Sequence, residues 1–187
     1  MGYISRAAFL LFAGLSAGGA HAKGDDTPPL SLAPTVDTAR YAGKWFIIAN
    51  IPYFAEKGKV ASFFDISFPG DDKVIDIYSG RPNFSKPASE FTLKGYIVPG
   101  TNNARWRESP FWPLYFSYLI VYVDPQYQTA LVGYPGHNYA WVLARSPTLD
   151  DATYAALLSR FSAAGYDASK IFKVPQLPGQ VGQPGFQ

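Results

Sequence analysis

The stretch YFSYLIVYVDPQYQTALVGYPGHNYAWVLAR, residues 115–145, decides how this chain folds. It holds three runs rich in β-branched and aromatic residues, Tyr115 to Asp124, Thr129 to Tyr134 and Tyr139 to Arg145. The breaks between them, at Pro125 and at Pro135-Gly136-His137-Asn138, carry residues that pre-set turn dihedrals. Short apolar runs joined by links this brief read as antiparallel strands paired in hairpins.

The same rhythm extends toward the N-terminus. It predicts strands over Trp45 to Ile51, Val60 to Phe68, Val74 to Ser79, Phe91 to Val98 and Ala104 to Glu108, with turns at Pro69-Gly70-Asp71-Asp72 and Pro99-Gly100-Thr101-Asn102-Asn103. Eight strands result. One helix follows them: Thr148 is its expected cap, Tyr154, Leu157, Leu158 and Phe161 form its apolar face, and Gly165 stops it. A single helix cannot cover two faces of such a sheet, so the strands bury their inner faces against each other. The expected fold class is all-β, an eight-stranded antiparallel barrel with the helix packed outside, a sandwich being the other closed solution. In the second strand Val60, Ser62, Phe64, Ile66 and Phe68 share one side. A barrel of eight strands either fills with side chains or holds one small ligand, and alternation does not choose between them.

Composition narrows the chemistry. The 187 residues suit one domain, 48% are apolar and 17% aromatic, and only 16% are charged. The absence of cysteine removes disulfides, thiol nucleophiles and zinc–cysteine sites, and a net charge of +2 is too small a footprint for nucleic acid. Residues 1–22 combine Arg6, the apolar run Ala7 to Leu15 and Ala20-His21-Ala22, the pattern of a cleaved secretory signal. Residues 23–35 and the Pro-, Gly- and Gln-rich residues 175–187 are expected to be mobile tails around a domain over 36–174. His137 is then the one histidine of the mature chain, expected as a solvated residue of a Pro-Gly turn, with no partner for a nucleophile–base pair or a metal site. The doublets Asp25-Asp26, Asp71-Asp72 and Asp150-Asp151 fall in a tail, a turn and a helix start, where acidic residues have structural roles. No catalytic residue, metal or cofactor is expected.

The chain also resembles a known family. Gly43-Lys44-Trp45 in the first strand is similar to the G-x-W segment of lipocalins, Asp124 and Tyr127 stand in the region of their T-D-Y turn, and Arg145 matches their last-strand arginine. Pro125 and Gln126 depart from the turn motif. With Tyr166-Asp167 and Ser169-Lys170 after the helix, the resemblance covers about residues 34–175 and is closest to the bacterial outer-membrane branch. It implies that Arg145 lies over Trp45 in a cation–π contact closing one barrel end, with Gly43, Asp124 and Tyr127 as further structural positions. That branch often carries a lipid-bearing cysteine after its leader; with none here, a soluble periplasmic or secreted form is expected, without a lipid anchor.

Carrying the family's inward parity along the strands makes Ile47, Ala49, Phe64, Ile66, Tyr118, Ile120, Tyr122, Tyr139 and Trp141 the candidate ligand-binding wall, apolar with phenolic tips. The segment Ser109-Pro110-Phe111-Trp112-Pro113-Leu114 is expected to plug the barrel rim, a lid or a membrane-touching lip being the other roles open to it. Arg81, Arg105 and Arg107 have no assigned side. The expected function is non-enzymatic binding, storage or transport of a small hydrophobic ligand, a fatty acid, lysophospholipid or related lipid, with transient contact to a membrane surface. The alternatives are a lipocalin-like isomerase or hydrolase using Tyr and Asp, and a membrane-embedded barrel. N-terminal sequencing of the exported protein is expected to begin at or near Lys23; a start at Met1 overturns the leader assignment.

Overall fold

Period-two alternation and turns built on Gly, Pro and Asn fold the middle of the chain into eight strands that reverse direction seven times. The computed structural model describes residues 29–187; the expected leader and residues 23–28 lie outside them. A one-turn helix α1 (Thr38–Tyr41) precedes β1 (Gly43–Ile51), β2 (Val60–Gly70), β3 (Lys73–Arg81), β4 (Ser89–Ile97), β5 (Arg105–Phe111), β6 (Leu114–Val123), β7 (Thr129–Gly133) and β8 (Ala140–Ala144). Helix α2 (Asp151–Ala163) and the short β9 (Phe172–Lys173) follow. Each strand pairs antiparallel with the next, as in Trp45↔Phe64 and Val132↔Trp141, and β1 returns to β8 through Phe46↔Ala144, so the sheet closes into a barrel.

Inward side chains of all eight strands pack around Trp45, Trp106, Ile66, Ile120 and Leu143 in the lower half of the barrel. Outside, Leu157 and Phe161 of α2 bury against Ile48, Leu131, Val142 and Ala144. The helix begins later than the sequence suggests. Its cap is Asp150, not Thr148, because the Asp150 carboxylate accepts from Thr153 N at 2.8 Å and Thr153 Oγ1 at 2.7 Å, satisfying an orphan donor of the first turn. Helix α1 is too short to leave a periodic trace in the sequence.

Both ends of the described chain, expected as tails, make contacts with the barrel. Ala33 N donates to Ile120 O, and Asn102 Nδ2 donates to Pro34 O, pinning the N-terminal segment under the barrel. The C-terminal segment has a larger part. β1 pairs with β2 only over Gly43–Phe46; beyond that the strands part, and β9 pairs with β1 through Asn50↔Phe172. Val174 N then donates to Ile48 O on one side, while Ala61 N donates to Pro175 O on the other. Gln176, 7% exposed, sends its amide to Ile47 O at 2.8 Å and Ser62 O at 3.0 Å, bridging the two strands. Residues rich in Pro, Gly and Gln thus close a seam, because their backbone and amide groups meet the polar groups that a split ladder leaves unpaired.

The segment 109–114 is not a plug. β5 and β6 stay paired as far as Phe111↔Leu114, so the ladder carries the tip outward, leaving Trp112 82% and Phe111 59% exposed. At the opposite end the Arg145 guanidinium lies 3.8 Å from the Trp45 ring centroid. It donates to the carbonyls of Lys44, Arg40, Tyr41 and Ala42 through Nη1 and Nη2, and to Tyr127 O through Nε. Asp124 accepts from the backbone of Gln126, Gln128 and Thr129, and the Tyr127 hydroxyl accepts from Asp37 N.

Removing either tie is expected to destabilise the barrel. Arg145→Ala strips donors from several carbonyls and is expected to cost about 3 kcal/mol or more, and Gln176→Ala, which orphans two, about 1–3 kcal/mol. Urea unfolding checks both; an Arg145→Ala variant as stable as the parent would show the contact to be incidental.

Candidate functional site

Above the filled lower half the barrel is hollow. Its free space is about 60 Å³, so a bound molecule must be slender or displace side chains. Phe64 of β2, Tyr118 of β6, Tyr139 before β8 and Trp141 of β8 line it, as do Tyr53, Phe91, Leu93 and Phe116, which the alignment of parity did not select.

The other predicted wall residues stand elsewhere, for two reasons. Ile47, Ile66 and Ile120 point inward but belong to the packed floor beneath the cavity. Ala49 and Tyr122 face outward: Ala49 packs under α2, and Tyr122 lies beneath the Arg160 guanidinium, 4.1 Å from its ring centroid. The cause is a register shift in each strand, between Ile47 and Ala49 against β8 and between Ile120 and Tyr122 against β7. An extra residue at a bulge reverses the parity of everything beyond it, so counting by twos from Trp45 or from Tyr118 puts Ala49 and Tyr122 on the wrong face. Arg105 and Arg107 alternate with the inward Trp106 and Glu108 and so stand outside, Arg107 over Tyr115. Arg81 is exposed. His137 is not a solvated turn residue: its Nε2 pairs with Ala164 O at 2.9 Å and its ring packs on Tyr166, outside the barrel.

The wall is not purely apolar with phenolic tips. Three carboxyls, Glu56, Asp76 and Glu108, face the cavity and are 5%, 0% and 2% exposed. Glu56, from the loop between β1 and β2, accepts from Trp141 Nε1 at 2.9 Å, Asn50 Nδ2 at 3.1 Å and Tyr53 N at 3.3 Å. Among the described residues neither oxygen of Asp76 has a hydrogen-bond partner, nor does Oε1 of Glu108. Asp76 on β3 and Glu108 on β5 flank β4, where Leu93 is opposite Asp76 and Gly95 is opposite Glu108. A Cβ at position 95 would come within 2.9 Å of Glu108 Cγ, so glycine leaves the space that the Glu108 side chain uses.

Nearby hydroxyls are already engaged with one another, Tyr41 with Tyr118 at 3.1 Å and Ser62 with Tyr78 at 3.2 Å. Below them the Tyr118 and Trp106 rings stack 4.5 Å apart. Burial disfavours the charged form of every acid here. It pushes Glu56 up to about 7 against the pull of its three donors, and Glu108 up to about 8. Asp76 is raised by burial first and then by the negative fields of Glu108, Glu56 and Asp65.

These two acids were legible. Val74, Asp76 and Tyr78 alternate along β3, and Trp106 and Glu108 along β5, so an acidic residue interrupts an otherwise apolar inward row in each strand. Among the described residues no three His, Cys, Asp or Glu side chains group closely enough to hold a metal ion.

Known proteins share this architecture. The profile of the lipocalin-like domain matches residues 36–176. The chain is 30% identical over 154 residues to the outer membrane lipoprotein Blc of Escherichia coli, covering 80% of this chain and 86% of Blc. It is 29% identical over 162 residues to temperature-induced lipocalin-1 of Arabidopsis thaliana, covering 79% and 83%. The solved structure of insecticyanin from the tobacco hornworm Manduca sexta superposes with a TM-score of 0.61 at 21% identity, covering 79% of this chain and 84% of that one.

The raised carboxyls set the pH dependence of stability. Between about pH 4.5 and about 8 the folded chain keeps protons on Glu56 and Glu108 that the unfolded chain has released. Their stabilisation is therefore complete below about pH 4.5 and is lost as pH rises through about 7 and then 8. Each carboxyl contributes about 1.4 kcal/mol for every pH unit by which its folded pKa exceeds its unfolded one, so unfolding free energy is expected to be lower at pH 8.5 than at pH 5.5 by on the order of a few kcal/mol. Glu108→Gln should flatten that slope in urea titrations; a parent protein whose stability is level across this range contradicts the assignment.

Proposed function

The chain belongs to the lipocalin family, whose members bind small hydrophobic ligands, and on that premise we propose that it binds and carries a fatty acid, a lysophospholipid or a related single-chain lipid without altering it chemically. The observation that carries this is the hollow upper half of the barrel, walled by Phe64, Phe91, Phe116, Tyr118 and Trp141 and open at one end only, since Arg145 and Trp45 seal the other. Its free space, about 60 Å³, is small, so a lipid chain enters by displacing wall side chains such as Phe91 and Phe116. Burying about 300 Å² of a hydrocarbon chain gains about 7 kcal/mol at ~25 cal/mol per Å². Ordering costs leave an affinity in the micromolar range.

A polar head at the mouth meets the hydroxyls of Tyr53, Tyr134 and Tyr139, with Lys57 and Lys59 on the adjoining loop. The projecting hairpin with Trp112 and Phe111, together with Phe54, 67% exposed on the β1–β2 loop, supports transient contact with a membrane surface during loading. Among the described residues the one histidine, His137, is held outside the barrel, which supports carriage over catalysis. The carrier acts in the periplasm or outside the cell, the destination that the leader-like pattern of residues 1–22 supports.

After delipidation, a fluorescent fatty acid is expected to bind with micromolar affinity and to be displaced by unlabelled single-chain lipids. Leu93→Trp, which fills the cavity from β4, is expected to weaken this binding tenfold or more while the protein still unfolds cooperatively. Delipidated protein that takes up none of these ligands overturns the proposal.

A further inference from the structure

A lumen meant only for hydrocarbon has no use for buried acids that nothing in the barrel satisfies. Asp76 and Glu108 face the cavity, are 0% and 2% exposed, and leave three oxygens without a donor. Unpaired polar groups in such surroundings each cost free energy on the order of 1–3 kcal/mol. Among the described residues no donor comes within hydrogen-bonding reach of these oxygens: Trp141 Nε1 and Asn50 Nδ2 go to Glu56, and the Tyr41–Tyr118 and Ser62–Tyr78 hydroxyl pairs, each with one O–H to spare, do not extend to them. The charged groups whose fields act on Asp76, namely Glu108, Glu56 and Asp65, are all acidic.

We propose that the inner end of the cavity is a subsite for a protonated amine, so that the barrel prefers lipophilic primary or secondary amines seated ammonium-inward on Asp76 and Glu108, with the apolar tail toward the mouth. The proposal rests on the carrier reading and deepens it by naming the ligand class. Several features select this chemistry. An ammonium supplies both a positive charge and N–H donors to the three free oxygens, whereas a quaternary ammonium has no N–H to give. A carboxylate head seated inward meets three acids and no cation. A divalent metal ion needs a tighter cluster than the described residues offer. The flanking rings of Phe64, Tyr118 and Trp141 add cation–π attraction.

The proton balance gives the proposal its signature. Among the described residues the titratable groups around the pair are Glu56 from the β1–β2 loop, Tyr41 from α1 and Tyr118 from β6, with Asp65 of β2 acting through its field; β4 faces the cavity with the uncharged Phe91 and Leu93 and has Gly95 opposite Glu108. Burial holds protons on the pair near neutrality, so an incoming ammonium must expel one to solvent to form its ion pair. Amine affinity therefore rises with pH across the titration of Glu108 near 8 and falls again once the amine itself deprotonates near its own pKa of about 10.

Dodecylamine, dodecanol and dodecanoate, used below their micelle-forming concentrations on delipidated protein, share a chain length and differ only in the head. By calorimetry at pH 8, dodecylamine is expected to bind at least tenfold tighter than dodecanol, to release protons on binding, and to lose at least half of that preference at pH 5.5. In the Asp76→Asn, Glu108→Gln double variant the amine-to-alcohol ratio should fall to about one; if that variant does not fold, Glu108→Gln alone is read in the same way. Equal binding of amine and alcohol, or a preference that survives these substitutions, overturns the subsite while leaving the carrier reading intact. Failure of all three probes to bind overturns both.

Discussion

The Arg145 guanidinium ties together the parts of the chain that must converge for the barrel to close. It lies on the face of Trp45 and collects carbonyls from α1, from the residues that lead into β1 and from the β6–β7 turn. Trp45 is wholly buried, and its indole N–H donates at 2.7 Å to Tyr41 O, a carbonyl that Arg145 also holds. Burial lowers the pKa of the guanidinium from its usual value, yet an arginine has so much margin that it stays charged. A permanent cation surrounded by carbonyl dipoles and an indole face is a stable plug, and it decides which end of the barrel is closed. Entry of any ligand is then restricted to the end where the hairpin of β5 and β6 projects.

A second constraint comes from the split between β1 and β2. The register shift at Ile47–Ala49 lies in the part of β1 that has already left β2, and in β2 Ala61 adopts a φ of +50°, where the register of β2 against β3 shifts between Val60 and Phe63. Ladder groups of both strands are released there, and the C-terminal segment satisfies them through Val174, Pro175 and Gln176. Gln187 reaches further, its side chain bonding Asn50 Oδ1 and Gly58 N. Since Asn50 also donates to Glu56, the chain end touches the network that lines the cavity.

Within the cavity two opposed requirements meet. Aromatic walls favour an apolar occupant, while burial makes the three carboxyls reluctant to ionise. Glu56 resolves the conflict internally with three donors, and Asp76 and Glu108 do not. Gly95 is part of that arrangement, because any side chain there would collide with Arg107 O and with the Glu108 side chain.

All eight barrel strands, the outer helix and the Trp45–Arg145 positions could be read from the sequence, because period-two alternation, turn residues and a few anchor side chains are local signals. Phe64, Tyr118, Tyr139 and Trp141 of the wall followed from the same counting. Ala49 and Tyr122 did not, since a bulge inserts one residue without any composition that marks it, and the parity beyond it is set by the partner strand. Nor did the docking of residues 172–176, whose Pro, Gly and Gln content reads as a tail until two diverging strands present unpaired groups to it. The sequence by itself determined which segments form strands and where they turn. Only the tertiary structure decided that acids on β3 and β5 converge across a glycine inside the barrel, because closing a sheet brings together side chains whose separation along the chain carries no local record.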